Sequence, residues 1–220
     1  MIGDIAHVCN RGVDKRKIFN SERDYARFRD NLFLLNNVEG KIRTKHKDIF
    51  KPGIKLPNRT KLVEILKWSL MPNHYHLLLQ ENVEGGISEF IRRLGNAYTK
   101  YFNLKNNHRS GYLFQNRAKI IFLGDERHFS YIPIYIDLNP ADLTSGNSKE
   151  KIAFIKSYEW SSLKNYYGWE KDEEIINKPL FVDMFGFKDI HYEKDLLNFI
   201  NDRERLGIEL EALGGVDMRG

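Results

Sequence analysis

Two short segments carry residue types that could do chemistry together. In the first, His74-Tyr75-His76 heads an apolar run, Leu77-Leu78-Leu79. On a β-strand, side chains at i and i+2 share a face about 7 Å apart along the backbone, so two imidazoles can converge on one cation. In the second, Tyr135 and Asn139 stand four apart in a segment with helical spacing, which places both on one face about one turn from each other. A phenol is a nucleophile once its proton is removed, and a carboxamide oxygen is a hard ligand. With two imidazoles it suits Mg2+ or Mn2+ and leaves positions open for a phosphate oxygen. Each pair also has a plainer reading. Histidines at this spacing can hydrogen-bond at a surface, a helical tyrosine is commonly core, and an Asn before Pro commonly ends a helix. Among other tyrosines, Tyr98 (which could face solvent) and Tyr101 lack a carboxamide or carboxylate four residues on, and for Tyr131 that position is Tyr135 itself.

Bringing the two segments together requires a sheet and a helix on its face. Ile5 to Cys9 reads as a strand running into the turn Asn10-Arg11-Gly12. Ser21 is a candidate N-cap for a helix to about Asn37, with Tyr25, Phe28, Leu32 and Leu35 on one face. Residues 39 to 61 contain Gly40, Pro52, Gly53 and Pro57 among eight Lys or Arg, the composition of a basic loop. Two β-prone runs, Leu62 to Met71 and His74 to Gln80, flank Pro72-Asn73 and read as a hairpin. Gly85-Gly86 precedes a helix from about Ile87 to Asn103. Ala118 to Leu123 is a further strand, and Asp125 can cap a last helix that halts near Asn139-Pro140. The order β-α-β-β-α-β-α predicts an α+β fold, a ferredoxin-like split βαβ with an antiparallel sheet and one extra helix. We assign residues 1–143 to a catalytic domain and 144–220, where periodicity fades, to a C-terminal appendage whose Trp160, Tyr166, Tyr167 and Trp169 pack back onto it.

Composition narrows the partners. The 220 residues are 41% hydrophobic and 30% charged, with no apolar stretch of the ~18 residues that a membrane helix needs. No secretory leader is read at the N-terminus and the single cysteine, Cys9, can close no intramolecular disulfide, so a cytoplasmic protein with Cys9 as a small buried hydrophobe is expected. The net charge of +5 is unevenly spread: residues 1–120 hold 23 Lys and Arg against 11 Asp and Glu, the remainder 12 against 19. A basic region rich in Tyr and Phe suits a polyanion with exposed bases, although a solvated basic surface would look the same.

These segments resemble a known family. Met71-Pro72-Asn73-His74-Tyr75-His76-Leu77-Leu78-Leu79 is similar to the HUH strand of the IS200-like Y1 transposases, and Tyr135-Ile136-Asp137-Leu138-Asn139-Pro140 to their nucleophile helix. His7-Val8-Cys9-Asn10-Arg11-Gly12 with Ile18-Phe19, and Gly111-Tyr112-Leu113-Phe114-Gln115-Asn116-Arg117, resemble the REP-associated tyrosine transposase branch. The likeness covers roughly residues 5 to 143, with Trp160-Ser161-Ser162 a fainter echo, and residues preceding the first strand in relatives are expected to be missing. It implies a divalent ion on His74, His76 and Asn139, with Tyr135 as the nucleophile. Asp137 and Asp142 depart from the common pattern by removing positive charge near the site.

The resemblance further implies cleavage and rejoining of single-stranded or hairpin DNA with short palindromic repeats, through a 5′-phosphotyrosine. Arg11, Lys15, Arg16, Lys17, the Lys41 to Lys61 loop, Arg92, Arg93 and Arg117 are candidate DNA contacts, and Tyr112 or Phe114 could stack on a base. The protein would act as a monomer or a homodimer. A domesticated hairpin-binding protein that does not cut is one rival. A single-stranded-RNA module is another, and would expose Tyr75 and Trp68 on its sheet.

Overall fold

The structure is a computed structural model that describes residues 1–42, 58–124, 126–168, 174–187 and 189–206. Most of the expected basic loop, the capping residue Asp125 and Trp169 lie outside the described residues. The elements run β1 (Ile5–Arg11), α1 (Glu22–Leu34), β2 (Val63–Met71), β3 (His74–Glu81), α2 (Gly86–Lys105), β4 (Lys119–Phe122) and α3 (Glu126–Leu138). The sheet order is β2-β3-β1-β4 with every pair antiparallel, the ferredoxin-like arrangement that the sequence predicts.

β1 and β3 occupy the middle, and both are buried almost throughout, because helices cover both sheet faces. On one face Tyr75 meets Phe28 of α1, which meets Tyr98 of α2, with ring centroids 4.9 and 5.0 Å apart. Tyr98 is thus core, not solvent-facing, and its hydroxyl donates to Ile18 O. Successive side chains alternate across a strand, so His74 and His76 point to the other face, where α3 lies. Pro72-Asn73 closes a two-residue hairpin, with Met71 paired to His74. The turn after β1 docks on it: Gly12 N donates to Asn73 O, and Ile18 N and Phe19 N to Pro72 O. Gly12 lets this turn close on itself, since a Cβ there would stand 2.4 Å from Arg16 O.

Ser21 holds the N-cap position of α1, but its hydroxyl makes no capping bond. Asp24 organises this corner instead: its buried carboxylate accepts from Asn20 N, Ser21 Oγ, Tyr101 Oη and Lys105 Nζ at 2.7–3.1 Å, tying the start of α1 to the end of α2. These bonds hold its pKa below the usual carboxyl value against the opposing effect of burial. The stability it confers is therefore present above about pH 4 and lost as pH falls below it. Asp24→Ala, which strands several donors, is expected to cost about 3 kcal/mol in urea unfolding at pH 7, with Asp24→Asn recovering part.

Beyond the 3₁₀ turn at Asn139–Leu143, the chain forms α4 (Ser148–Ser157), α5 (Leu163–Tyr166), α6 (Lys178–Phe185) and α7 (Asp189–Leu206). Ile152, Ile155, Leu163, Phe181, Leu196 and Ile200 from these helices enter the same buried cluster as β2 and α3. The segment also covers the open edge of β2: Leu70 N donates to Trp160 O, Ser162 N to Trp68 O and Asn177 N to Ile65 O. An exposed edge would be a template for unwanted strand pairing. Among the described residues, no helix is long and apolar enough to cross a membrane.

Candidate active site

The site forms where the start of β3, the end of β1 and the end of α3 meet. Register places Arg11 opposite His74 and Cys9 opposite His76 on one face. Tyr135, on α3, packs edge-on against His76 and His7, with ring centroids 5.2 and 5.6 Å apart. Asn139 stands one turn further on, and its Nδ2 donates to Tyr135 O at 2.8 Å. The structure thus brings together His74, His76, Tyr135 and Asn139.

Hydrogen bonding determines which atoms face inward. Asn73 Nδ2 donates to Lys15 O, which turns Asn73 Oδ1 to His74 Nδ1 at 2.7 Å. An amide oxygen only accepts, so the His74 proton sits on Nδ1 and Nε2 presents a lone pair. Asn139, having spent its amide nitrogen on Tyr135 O, points Oδ1 at His74 Nε2, 3.4 Å away. In neutral His74 these are two acceptors facing each other. Beside them His76 Nε2 is buried with no hydrogen-bond partner. Burial pushes His74 down to about 4, with Arg11 adding to the effect, and holds His76 well below the usual imidazole range. Protonation does not relieve this clustering of lone pairs at neutral pH, whereas a cation would. The oxygen and two imidazole nitrogens therefore fit a divalent ion.

The Tyr135 hydroxyl is buried with no partner at hydrogen-bond distance. Burial is the main cause raising its pKa, with Cys9 and, less, Asp142 adding to it, while the Asn139 carboxamide and the Arg11 guanidinium favour the phenolate. Arg11, a candidate DNA contact, is only 6% exposed and lies within the site. Asp137 is not near the site charge as expected. It faces away from Tyr135's partners, is fully buried, and pairs with Lys67 Nζ at 2.5 Å.

Lys15, Lys17 and Arg117 are exposed and Arg16 half-buried, its guanidinium 3.5 Å from Asp14. All four lie at the end of the sheet that holds His74, since antiparallel pairing sets the end of β1 beside the starts of β3 and β4. Arg92 and Arg93 are not brought to the site. They bond Glu89 on α2, behind the opposite sheet face. Tyr112 is exposed, whereas Trp68 and Tyr75 are buried, which removes the aromatic platform that an RNA-binding sheet requires.

Sequence reasoning assigned no part to His7 beyond the family likeness. Its Nε2 lies 2.9 Å from His76 Nδ1 with the ring planes only 16° apart, and burial pushes it down to about 3. Alternation along β1, which places His7, Cys9 and Arg11 on one face, was the available signal. His7, Cys9 and His76 form a group whose donor atoms lie within 4.8 Å of one another and could hold a metal. Burial raises the Cys9 thiol to about 12, so it enters that group as a thiol unless a metal displaces the proton.

Residues 35–139 match a protein family described as Transposase IS200 like. No curated protein matches the chain in sequence. A solved structure described as a REP-associated tyrosine transposase bound to a REP hairpin is similar in outline, with a TM-score of 0.44 and 10% identity over 77% of this chain and 81% of that one.

Proposed function

We propose that this chain, whose residues 35–139 match the family described as Transposase IS200 like, is a metal-dependent endonuclease and strand transferase for single-stranded or hairpin DNA. The observation that carries this reading is the facing pair of acceptors, His74 Nε2 and Asn139 Oδ1, beside the partnerless His76 Nε2 and the Tyr135 ring. These three atoms are the ligand set, and their hard oxygen and imidazole character favours Mg2+ or Mn2+. The ion, when bound, draws charge from a non-bridging oxygen of the scissile phosphate.

Tyr135 Oη attacks the phosphorus in line, forming the Tyr–O–P bond as the P–O3′ bond breaks. The phenolic proton leaves and the departing 3′ oxygen ends as a hydroxyl, so the products are a 5′-phosphotyrosine and a free 3′ end. Attack by another 3′-hydroxyl reverses the step and joins strands without ATP. Arg11 beside Tyr135 favours the phenolate. Lys15, Lys17 and Arg117 line the approach for the phosphate backbone, together with Lys119, which β1 pairing places opposite Cys9.

The test is incubation with Mn2+ and a single-stranded hairpin oligonucleotide labelled at either end. A 3′-end label is expected in an SDS-stable adduct and a 5′-end label in a released strand, with EDTA abolishing both. Hairpin binding without any adduct would favour the non-cutting binder. An adduct that persists in EDTA would remove the metal from the reading.

A further inference from the structure

We propose that His7 is a positioning residue that accepts the Nδ1 proton of His76 and so holds Nε2 of that ring towards the ion. The inference rests on the reading of His74, His76 and Asn139 as the ligand set. For His74 the choice of tautomer is made by an oxygen, Asn73 Oδ1, whose amide is oriented by its bond to Lys15 O. For His76 the corresponding partner is another imidazole, His7 Nε2, at 2.9 Å.

A neutral imidazole has one donor and one acceptor nitrogen, so this contact has two arrangements. If His7 carries its proton on Nδ1, its Nε2 accepts from His76 Nδ1–H, and His76 Nε2 offers a lone pair to the site. If His7 carries it on Nε2, the proton of His76 moves to Nε2, where it points at the site and bars the ion. Nδ1 of His7 is buried and has no hydrogen-bond partner, so no other hydrogen bond competes with the first arrangement, which an ion at His76 Nε2 selects. The ring planes are 16° apart with centroids at 5.1 Å, the nearly coplanar, end-to-end arrangement that an in-plane N–H···N bond requires, and Tyr135 closes the packet. His7 thus does for His76 what outer partners commonly do for metal-bound histidines, fixing tautomer and ring orientation.

Two measurements test this. Long-range 1H–15N correlation on the Mg2+-loaded protein reports both tautomers in the unaltered chain, and the proton is expected on Nδ1 of His76 and on Nδ1 of His7. A proton on Nε2 would overturn the proposal. Mn2+ titration then compares variants: His7→Leu, which keeps the bulk but removes the acceptor, is expected to weaken binding roughly 10–100-fold, and His7→Gln, which restores an acceptor, to recover most of it. His7→Leu binding Mn2+ as tightly as the wild type would also overturn the proposal. Failure of the underlying reading looks different: His74→Ala and Asn139→Ala would then leave Mn2+ binding unchanged. A thiolate charge-transfer band in the Co2+-loaded protein, lost in Cys9→Ser, would make His7 a ligand alongside Cys9 instead, and overturn the positioning role.

Discussion

Tyr135→Phe is expected to yield no SDS-stable DNA adduct while keeping the fold, Mn2+ affinity and hairpin binding within a few-fold of the wild type. The argument is local. The hydroxyl is the proposed nucleophile, yet it is buried without a hydrogen-bond partner, so the fold gains nothing from it. Removing an unsatisfied buried hydroxyl is neutral, or stabilises by up to about 1 kcal/mol. The ring, which packs on His7 and His76, remains. An undiminished adduct from the variant would transfer the nucleophile to another residue. A large loss of stability would mean that the hydroxyl has a structural role that the geometry does not contain.

The second large effect concerns Lys67 and Asp137. Both are fully buried, Lys67 Nζ lies 2.5 Å from Asp137 Oδ2, and Tyr192 Oη donates to the same oxygen at 2.5 Å. The ammonium also sits over the rings of Tyr166, Phe181 and Tyr192, 4.1, 4.5 and 4.9 Å from their centroids. Burial pulls each partner towards its neutral form, raising Asp137 and lowering Lys67, and the attraction between them opposes this on both sides. Asp137→Ala leaves a cation in an aromatic cavity and is expected to cost about 3–5 kcal/mol in urea unfolding. The double replacement Lys67→Met with Asp137→Leu is expected to restore most of that, because the pair's desolvation cost disappears with it. A double variant as unstable as the single one would show that the pair itself contributes stability. The pair links β2, α3 and the C-terminal helices, so adduct yield in the double variant also reports whether the site depends on it.

How much of this was legible in the sequence follows from the range of the interactions involved. The β-α-β-β-α-β-α order could be read because hairpin turns, caps and periods of two or about 3.6 residues are local properties. The pairing of Tyr135 with Asn139 needed only helical spacing, and that of His74 with His76 only strand alternation. The four C-terminal helices among the described residues were missed, since three of them have ten residues or fewer. Packing against β2 and α3 stabilises them more than any periodic face of their own. Even so, Asn147 and Glu150 form a capping box that marks the start of α4 in the sequence.

The sequence by itself determined the inventory: two imidazoles on one strand face, a phenol and a carboxamide on one helix face, and a basic N-terminal half. Tertiary structure alone decided what those groups meet. Strand register brought Arg11 into the site and His7 against His76, chain packing set Asp137 with Lys67 rather than near the phenol, and the second helix carried Arg92 and Arg93 away. Contacts between residues 65 to 70 positions apart, such as His74 with Asn139 or Lys67 with Asp137, leave no periodic trace in the chain. They arise only when the sheet and the helix over it are both in place.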